Sequence, residues 1–209
     1  MRILDEAQFN SEVKPVLEKI FNTNVPPGDS ILLNSNIDGR RILFLPEIYI
    51  NNDLIDAVIF AAKSTDESGC YVSLTDKIST QPNHCYIPLE EMHVALVEGT
   101  LHHIHGIDFW SDYAIYSSRG YWGLLASSAK YGLLGGSSRF IERVESIFPS
   151  LNAQLYDFIA YWEREQEIVI KDCHYPEMLM KSTWILDLIK HAYGDMAALN
   201  IASNTKLFF

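Results

Sequence analysis

The sequence predicts an α+β protein, with a mainly antiparallel sheet, packed helices and a helical C-terminal third. Three observations predict this class. Short apolar segments rich in β-branched and aromatic residues lie in the first two thirds of the chain. Residues 110–149 combine two or three strand-like segments with a helix that follows them. Beyond Pro149, apolar residues recur at helical spacing.

The first fifty residues begin with a helical pattern and continue with two strands. Ser11 opens the helical pattern, and Pro15 lies within about its first turn, where proline is tolerated. Strands are predicted at residues 31–33 and 41–45 from their apolar content. The turn-prone sequence of residues 36–39 separates them.

The middle of the chain predicts a helix, a strand, a loop and a shorter helix. Asn52 is predicted to cap the first helix, whose apolar side chains form one stripe. A buried strand at 70–74 precedes a loop at 75–84. Pro88 then opens a short helical pattern that Gly99 ends.

The segment from 110 to 149 carries the clearest local signals. Strands are predicted at 113–116, 121–126 and 131–134, and the first two are joined by a short turn that ends in glycine. Ser137 is predicted to cap the amphipathic helix that follows. Two more helices are predicted further on. They cover residues 151–166 and 176–193 and are followed by an unassigned tail at 194–209.

Composition predicts a soluble globular protein with one domain. The chain has 209 residues, of which 48% are hydrophobic, and we expect a single domain over residues 1–209. A helical subdomain at 150–209 is the alternative division. No apolar run is long enough for a membrane helix. With three scattered cysteines and no secretory signal, we expect a cytoplasmic location and no cofactor.

The charge balance restricts the class of partner. The chain carries 27 acidic and 16 basic side chains, which give a formal net charge of −11. This charge repels nucleic-acid phosphates and anionic lipid surfaces, so neither is an expected partner. It would speed the encounter with a basic protein. The oligomeric state has no signature in the sequence.

One stretch suggests metal chemistry as an alternative. His103 and His105 would share one face of an extended segment, and Asp108 is the nearest carboxylate that could complete a ligand set. Imidazole and carboxylate together suit zinc or iron. The spacing matches no helical metal-binding motif, so these side chains are more simply surface or loop residues. A metal-dependent hydrolase is therefore an alternative reading.

The glycine-rich turn before the helix suggests an anion site. Gly135, Gly136 and Ser137 lie before a helix N-terminus, where free N–H groups could bind a phosphate or carboxylate. The sequence lacks the phosphate-loop spacing, and a plain strand-turn-cap explains the same residues. A domain that binds a small anionic ligand is thus a second alternative.

Aromatic side chains concentrate in the predicted hairpin. They could form the centre of a partner-binding surface or fill the core of the sheet: Tyr113, Tyr116, Tyr121 and Trp122. Alternation places Trp122, Leu124 and Ala126 on one face of the strand and Tyr121, Gly123 and Leu125 on the other. At least one of these faces is therefore expected to be buried.

Residues 112–141 resemble a segment of small uncharacterised bacterial proteins. The resemblance is carried by Asp112-Tyr113-Ala114-Ile115-Tyr116, by the Gly120–Leu125 segment and by Leu133 to Ile141. Some of these similar proteins are thought to be immunity proteins of polymorphic toxin systems. The resemblance covers about 30 residues and transfers no active site. It implies a non-enzymatic protein that binds a partner, and the acidic charge is compatible with neutralising a basic toxin domain.

Overall fold

A seven-stranded antiparallel sheet forms the centre of the protein. The computed structural model describes residues 1–22, 32–47, 50–75, 83–97, 112–172 and 183–208. In spatial order the strands are β1 (Arg2–Leu4), β6 (His84–Pro88), β5 (Gly69–Leu74), β7 (Tyr113–Ser117), β8 (Trp122–Ser127), β9 (Tyr131–Gly136) and β4 (Gly39–Phe44). All neighbours pair antiparallel. Two short strands, β2 (Phe21–Asn22) and β3 (Leu32–Leu33), pair separately.

Helices cover both faces of the sheet. They are α1 (Glu6–Gln8), α2 (Lys14–Ile20), α3 (Asn52–Lys63), α4 (Met92–Val97), α5 (Ser138–Ile147), α6 (Gln154–Asp172), α7 (Thr183–Tyr193) and α8 (Asp195–Asn204). A π-helical turn, Phe9–Val13, joins α1 to α2. None of the helices in the described ranges is long and apolar enough to cross a membrane.

Two hydrophobic cores lie on opposite sides of the sheet. Helices α3, α4 and α5 cover one side, here called the α3 face. Helices α2, α6, α7 and α8 cover the other, called the α6 face. Because side chains alternate along a strand, Trp122, Leu124 and Ala126 enter the first core while Leu125 enters the second. The predicted alternation in β8 is confirmed, and so is the α+β class.

The strand-turn-strand region and its helix agree with the prediction. Strands β7 and β9 cover two of the predicted segments, β8 begins at Trp122, one residue after the predicted start, and Ser137 caps α5. The Ser137 hydroxyl oxygen accepts a hydrogen bond of 3.2 Å from the backbone N–H of Phe140. Helices α6 and α7 overlap the two predicted near the C-terminus.

Other boundaries differ from the prediction. The cap of α3 is Asn51 rather than Asn52, because the Asn51 side chain accepts from the N–H of Asp53 at 2.8 Å. Pro88 ends strand β6 instead of opening a helix, and α4 begins at Met92. The strands β1 and β6 and the helix α8 were not predicted. Gly99 lies outside the described residues.

Two carboxylates hold the tight turns of the central hairpins. Glu67, which is buried, accepts hydrogen bonds from the hydroxyls of Ser117 and Ser118 at 2.6 and 2.8 Å and from the N–H of Arg119 at 3.1 Å. Asp112 accepts from the Ser127 hydroxyl and the Ser128 N–H at 2.9 and 2.7 Å. Each turn is thus fixed by an acid from another part of the chain.

Side chains of the C-terminal helices complete the outer edge of β4. The N–H of Ile42 donates to the hydroxyl of Tyr193 at 3.1 Å. The N–H of Phe44 donates to the side-chain oxygen of Gln154 at 3.3 Å. Because β4 is the last strand of the sheet, these two donors have no strand partner on that side.

Arg40 anchors the end of α7 to the sheet. Its guanidinium donates to the carbonyl of His191 at 2.7 Å and also to the carbonyl of Ile37 at 2.9 Å. A cation at the C-terminus of a helix stabilises the last carbonyls. Burial, and next the charge of Arg40, lower the pKa of the His191 imidazole to about 4. Its Nε2 atom is buried without a hydrogen-bond partner among the described residues.

We expect His191 to make the protein less stable in mild acid. In the unfolded chain the His191 imidazole binds a proton near pH 6.5, whereas in the folded chain it does so only near pH 4. Between these values the unfolded state holds more protons, so the free energy of unfolding falls as the pH falls. We expect the contribution of His191 to this fall to be about 1 kcal/mol between pH 7 and 5, because the ring is only partly shielded from water. Urea unfolding of the wild type and of His191→Gln at the two pH values measures this contribution.

The carboxylates change the stability of both proteins with pH. The difference between the two losses of stability therefore reports the contribution of the His191 imidazole. His191→Gln should lose less stability than the wild type on going from pH 7 to 5. Equal losses in the two proteins would contradict the assignment.

Candidate functional site

The residues predicted to bind a metal lie outside the structure's described ranges. This applies to His103, His105 and Asp108. Among the residues that are described, no three His, Cys, Asp or Glu side chains come together as a metal site requires. His93 is described, and its Nε2 lies 3.6 Å from Asp56 Oδ1. The metal-dependent hydrolase remains a prediction without a described site.

Three of the four hairpin aromatics lie in the core. Tyr113, Tyr116 and Trp122 are 3%, 0% and 0% exposed, respectively, so a partner cannot contact them at the surface of this fold. The prediction that they form a partner-binding surface is contradicted by their burial, because helices pack on both faces of the sheet and these side chains fill the two cores. Tyr121 alone of the four is exposed, at 47%.

Tyr121 lies beside one cation. The guanidinium carbon of Arg119 is 5.0 Å from the centre of the Tyr121 ring, a cation–π contact. The aliphatic part of the Lys19 side chain lies next to Gly120 in the same turn. The positive charge of Arg119 repels a basic partner, so this end of the hairpin is a poor match for one.

The glycines of the predicted anion site have a packing role. A Cβ atom on Gly135 would lie 2.6 Å from Leu33 Cδ2, and one on Gly136 would lie 2.7 Å from Phe140 Cδ1. Neither residue could carry a side chain without displacing its neighbours. The Ser137 hydroxyl is occupied as the helix cap. Cap and close packing account for all three residues, and no ligand is needed to explain them.

An acidic surface lies over the α3 face. We call it the α3–α4 surface, and it comprises Asp53, Asp56, Phe60, Glu90 and Glu91, all of which are exposed. Asp56 and Phe60 are four residues apart on α3 and so point the same way. The contact between His93 and Asp56 joins the start of α4 to the middle of α3. Glu90 and Glu91 lie just before that contact in the chain.

Phe60 is the unusual member of this surface. Its side chain is 52% exposed, whereas the other apolar residues of α3 are buried between the helix and the sheet. In the sequence, Phe60 falls outside the predicted apolar stripe of α3, and this was the available signal for an exposed aromatic. Large exposed aromatic side chains are enriched at protein interfaces.

A cavity of about 420 Å³ opens on the α6 face, between the N-terminal helical segment and strands β5, β6 and β7. At its base, the Ser73 and Tyr116 hydroxyls share a 2.7 Å hydrogen bond, and Ser73 Oγ bonds to His84 Nδ1 at 2.9 Å. The Phe9 ring stacks on the His84 imidazole, with centroids 3.6 Å apart. Burial raises the pKa of the Tyr116 phenol, which keeps it neutral and able to donate.

The polar chain at the base of the cavity suits binding better than nucleophilic attack. Ser73 is 2% exposed, and its oxygen is held by both Tyr116 and His84. A serine nucleophile needs its oxygen accessible to the substrate. No sequence motif marks Ser73 or His84: Ser73 falls in the predicted strand 70–74, whereas His84 falls in the segment 75–84 that was predicted as a loop.

Comparison with known proteins assigns the chain to no family. No family model, curated protein or solved structure matches it. The resemblance of residues 112–141 to immunity proteins therefore stays a prediction. The α3–α4 surface and the cavity are the two features on which a function can be argued.

Proposed function

We propose that the chain is a non-enzymatic binding protein that recognises a basic protein through its α3–α4 surface. The net charge of −11 favours a positively charged partner. Residues 112–141 resemble small uncharacterised bacterial proteins, some of which are thought to be immunity proteins, and together with the charge this suggests an inhibitor that neutralises a basic toxin domain. Binding would occlude the partner, and no chemistry by this chain is needed.

The observation that supports the proposal most is the exposed aromatic ring of Phe60 among carboxylates. Protein interfaces combine a desolvated aromatic centre with a polar rim. Here Phe60 is 52% exposed and Asp56 lies one helical turn away. The carboxylates would steer a basic protein, and the ring would then contribute affinity by burial. Steering acts on association, whereas burial acts on dissociation.

The alternative aromatic surface, around Tyr121, fits less well. Arg119 contacts that ring, so a basic partner would meet positive charge there. On the α3–α4 surface, Lys63 is the last residue of α3, and the Met1 ammonium pairs with Glu91 at 2.5 Å. Asp53, Asp56 and Glu90 add three further carboxylates to this surface, so the sign of its charge favours it over the hairpin.

We expect Phe60→Ala to weaken binding about tenfold or more, because hot-spot residues typically contribute over 1 kcal/mol. The partner tested is the protein encoded beside the gene for this chain, since toxins and their inhibitors are made together. Binding of the purified pair is measured by calorimetry, with circular dichroism to confirm that the variant is folded. The exposed ring should cost little stability when removed.

Two double variants, each lacking two acidic charges, test the electrostatic contribution to partner binding. Asp56→Asn with Glu90→Gln removes two charges from the α3–α4 surface. Glu167→Gln with Asp187→Asn removes two exposed charges from helices on the α6 face. We expect only the first pair to slow association at low salt, by about three- to tenfold, and the effect to vanish at high salt.

Three results would overturn the proposal. One is equal slowing by the two charge pairs, which would indicate non-specific attraction. Another is unchanged affinity for Phe60→Ala. The third is the absence of binding to the neighbouring gene product.

A further inference from the structure

The cavity on the α6 face has the size and build of a small-molecule site. Its volume of about 420 Å³ falls within the usual range for ligand pockets, about 300–1,000 Å³. Apolar side chains, including Leu17, Phe21 and Ala114, form part of the wall. Polar groups converge at one end, where strands β5 and β6 meet. This combination is typical of a pocket that orients a ligand.

Strand register builds the polar end. Ser73 pairs directly with His84 across β5 and β6, so both side chains point to the α6 face. Tyr116 reaches Ser73 from the next strand. Phe9, the first residue of the π-helical turn, covers one side of the imidazole. Single π-turns inside helices are frequently found at functional sites.

The rim of the cavity selects the charge of the ligand. Glu6, Lys14 and Glu18 line it, and Lys14 lies 3.9 Å from Glu18, one turn away on α2. Among the described lining residues, this pairing leaves Glu6 as the charged group without an opposite charge. An anion would be repelled, whereas a cation would be attracted.

From these contacts we infer that the cavity binds a small organic cation with N–H donors, such as an amine or an amidine attached to a flat ring. The N–H groups donate to the Glu6 carboxylate at the rim, while the ring lies along the apolar wall. This inference is independent of the proposed partner binding, because the α3–α4 surface lies on the opposite face of the sheet.

Two pairs of probes of equal shape and opposite charge test the inference. Benzamidine is compared with benzoate, and tryptamine with indole-3-acetate, using the full chain and calorimetry together with NMR of the His84 ring. We expect at least one cation to bind with a dissociation constant of about 1 mM or lower, as small unoptimised ligands do. It should shift the His84 signals, and its matched anion should bind at least tenfold more weakly.

Glu6→Gln and Glu12→Gln form the matched variants. Both residues are exposed and lie in the same helical segment, but only Glu6 lines the cavity. We expect Glu6→Gln to weaken cation binding about fivefold or more and Glu12→Gln to leave it within twofold.

Any of four results overturns the inference. The first is that neither cation binds up to about 10 mM, a concentration at which even weak fragments are detected. The second is that anions and cations bind equally. The third is that binding leaves the His84 signals unchanged, and the fourth is that the two glutamate variants change the affinity equally. None of these results would bear on the α3–α4 surface.

Discussion

Replacing Trp122 with alanine is expected to lower the free energy of unfolding by about 3–5 kcal/mol, the usual cost of removing a large buried aromatic side chain. Trp122 is fully buried in the core of the α3 face. Its ring stacks on Phe140, with centroids 5.6 Å apart and planes within 4°. Alanine would leave a cavity between β8 and α5. Urea denaturation followed by circular dichroism measures the loss.

Tyr121 provides the matched control for this change. It is the preceding residue and is also aromatic, but it is 47% exposed and contacts Arg119 by a cation–π interaction. Tyr121→Ala should therefore cost no more than about 1 kcal/mol. Similar losses for the two variants would contradict the placement of Trp122 in the core.

Replacing Glu67 with alanine is expected to cost about 2–3 kcal/mol. The carboxylate is buried and accepts three hydrogen bonds from residues 117–119. Its removal leaves the Ser117 hydroxyl, which is 0% exposed, without its acceptor. An unsatisfied buried hydroxyl is costly, and hydrogen bonds to a charged group are stronger than neutral ones. Urea denaturation measures this loss too.

Glu67→Gln and Glu142→Ala separate the hydrogen bonds from the removal of an acid as such. Glutamine keeps one acceptor oxygen, so it should cost less than alanine. Glu142 is exposed on α5, and its replacement by alanine should change stability by no more than about 0.5 kcal/mol. If Glu67→Ala is as mild as Glu142→Ala, the buried carboxylate does not hold the turn.

Local signals explain why the region around β7, β8 and β9 was predictable. Its strands are joined by short turns with glycine or serine, and Ser137 caps the next helix through its own side chain. These features depend on residues a few positions apart. By contrast, β1 pairs with β6 across about eighty residues, and no local pattern in Arg2–Leu4 marks that pairing. Pro88 was misassigned because proline is also common at the start of a helix.

The candidate sites were less predictable than the fold. Net charge gives the sign of an acidic surface but not its position, which depends on how α3 and α4 pack. The cavity depends on Ser73 lying opposite His84, and this follows from the register of two strands rather than from either segment alone. The aromatic residues of the hairpin could be interpreted as a partner-binding surface or as part of the core. The burial of Tyr113, Tyr116 and Trp122 places these three in the core.

The outer edge of β4 affects how this protein can associate with others. A strand from another chain adds to a sheet by pairing with the free backbone donors of its edge. Tyr193 and Gln154 already accept from Ile42 and Phe44, so an incoming strand would first have to displace two helix side chains. The C-terminal helices thus oppose sheet extension and aggregation at this edge of the sheet.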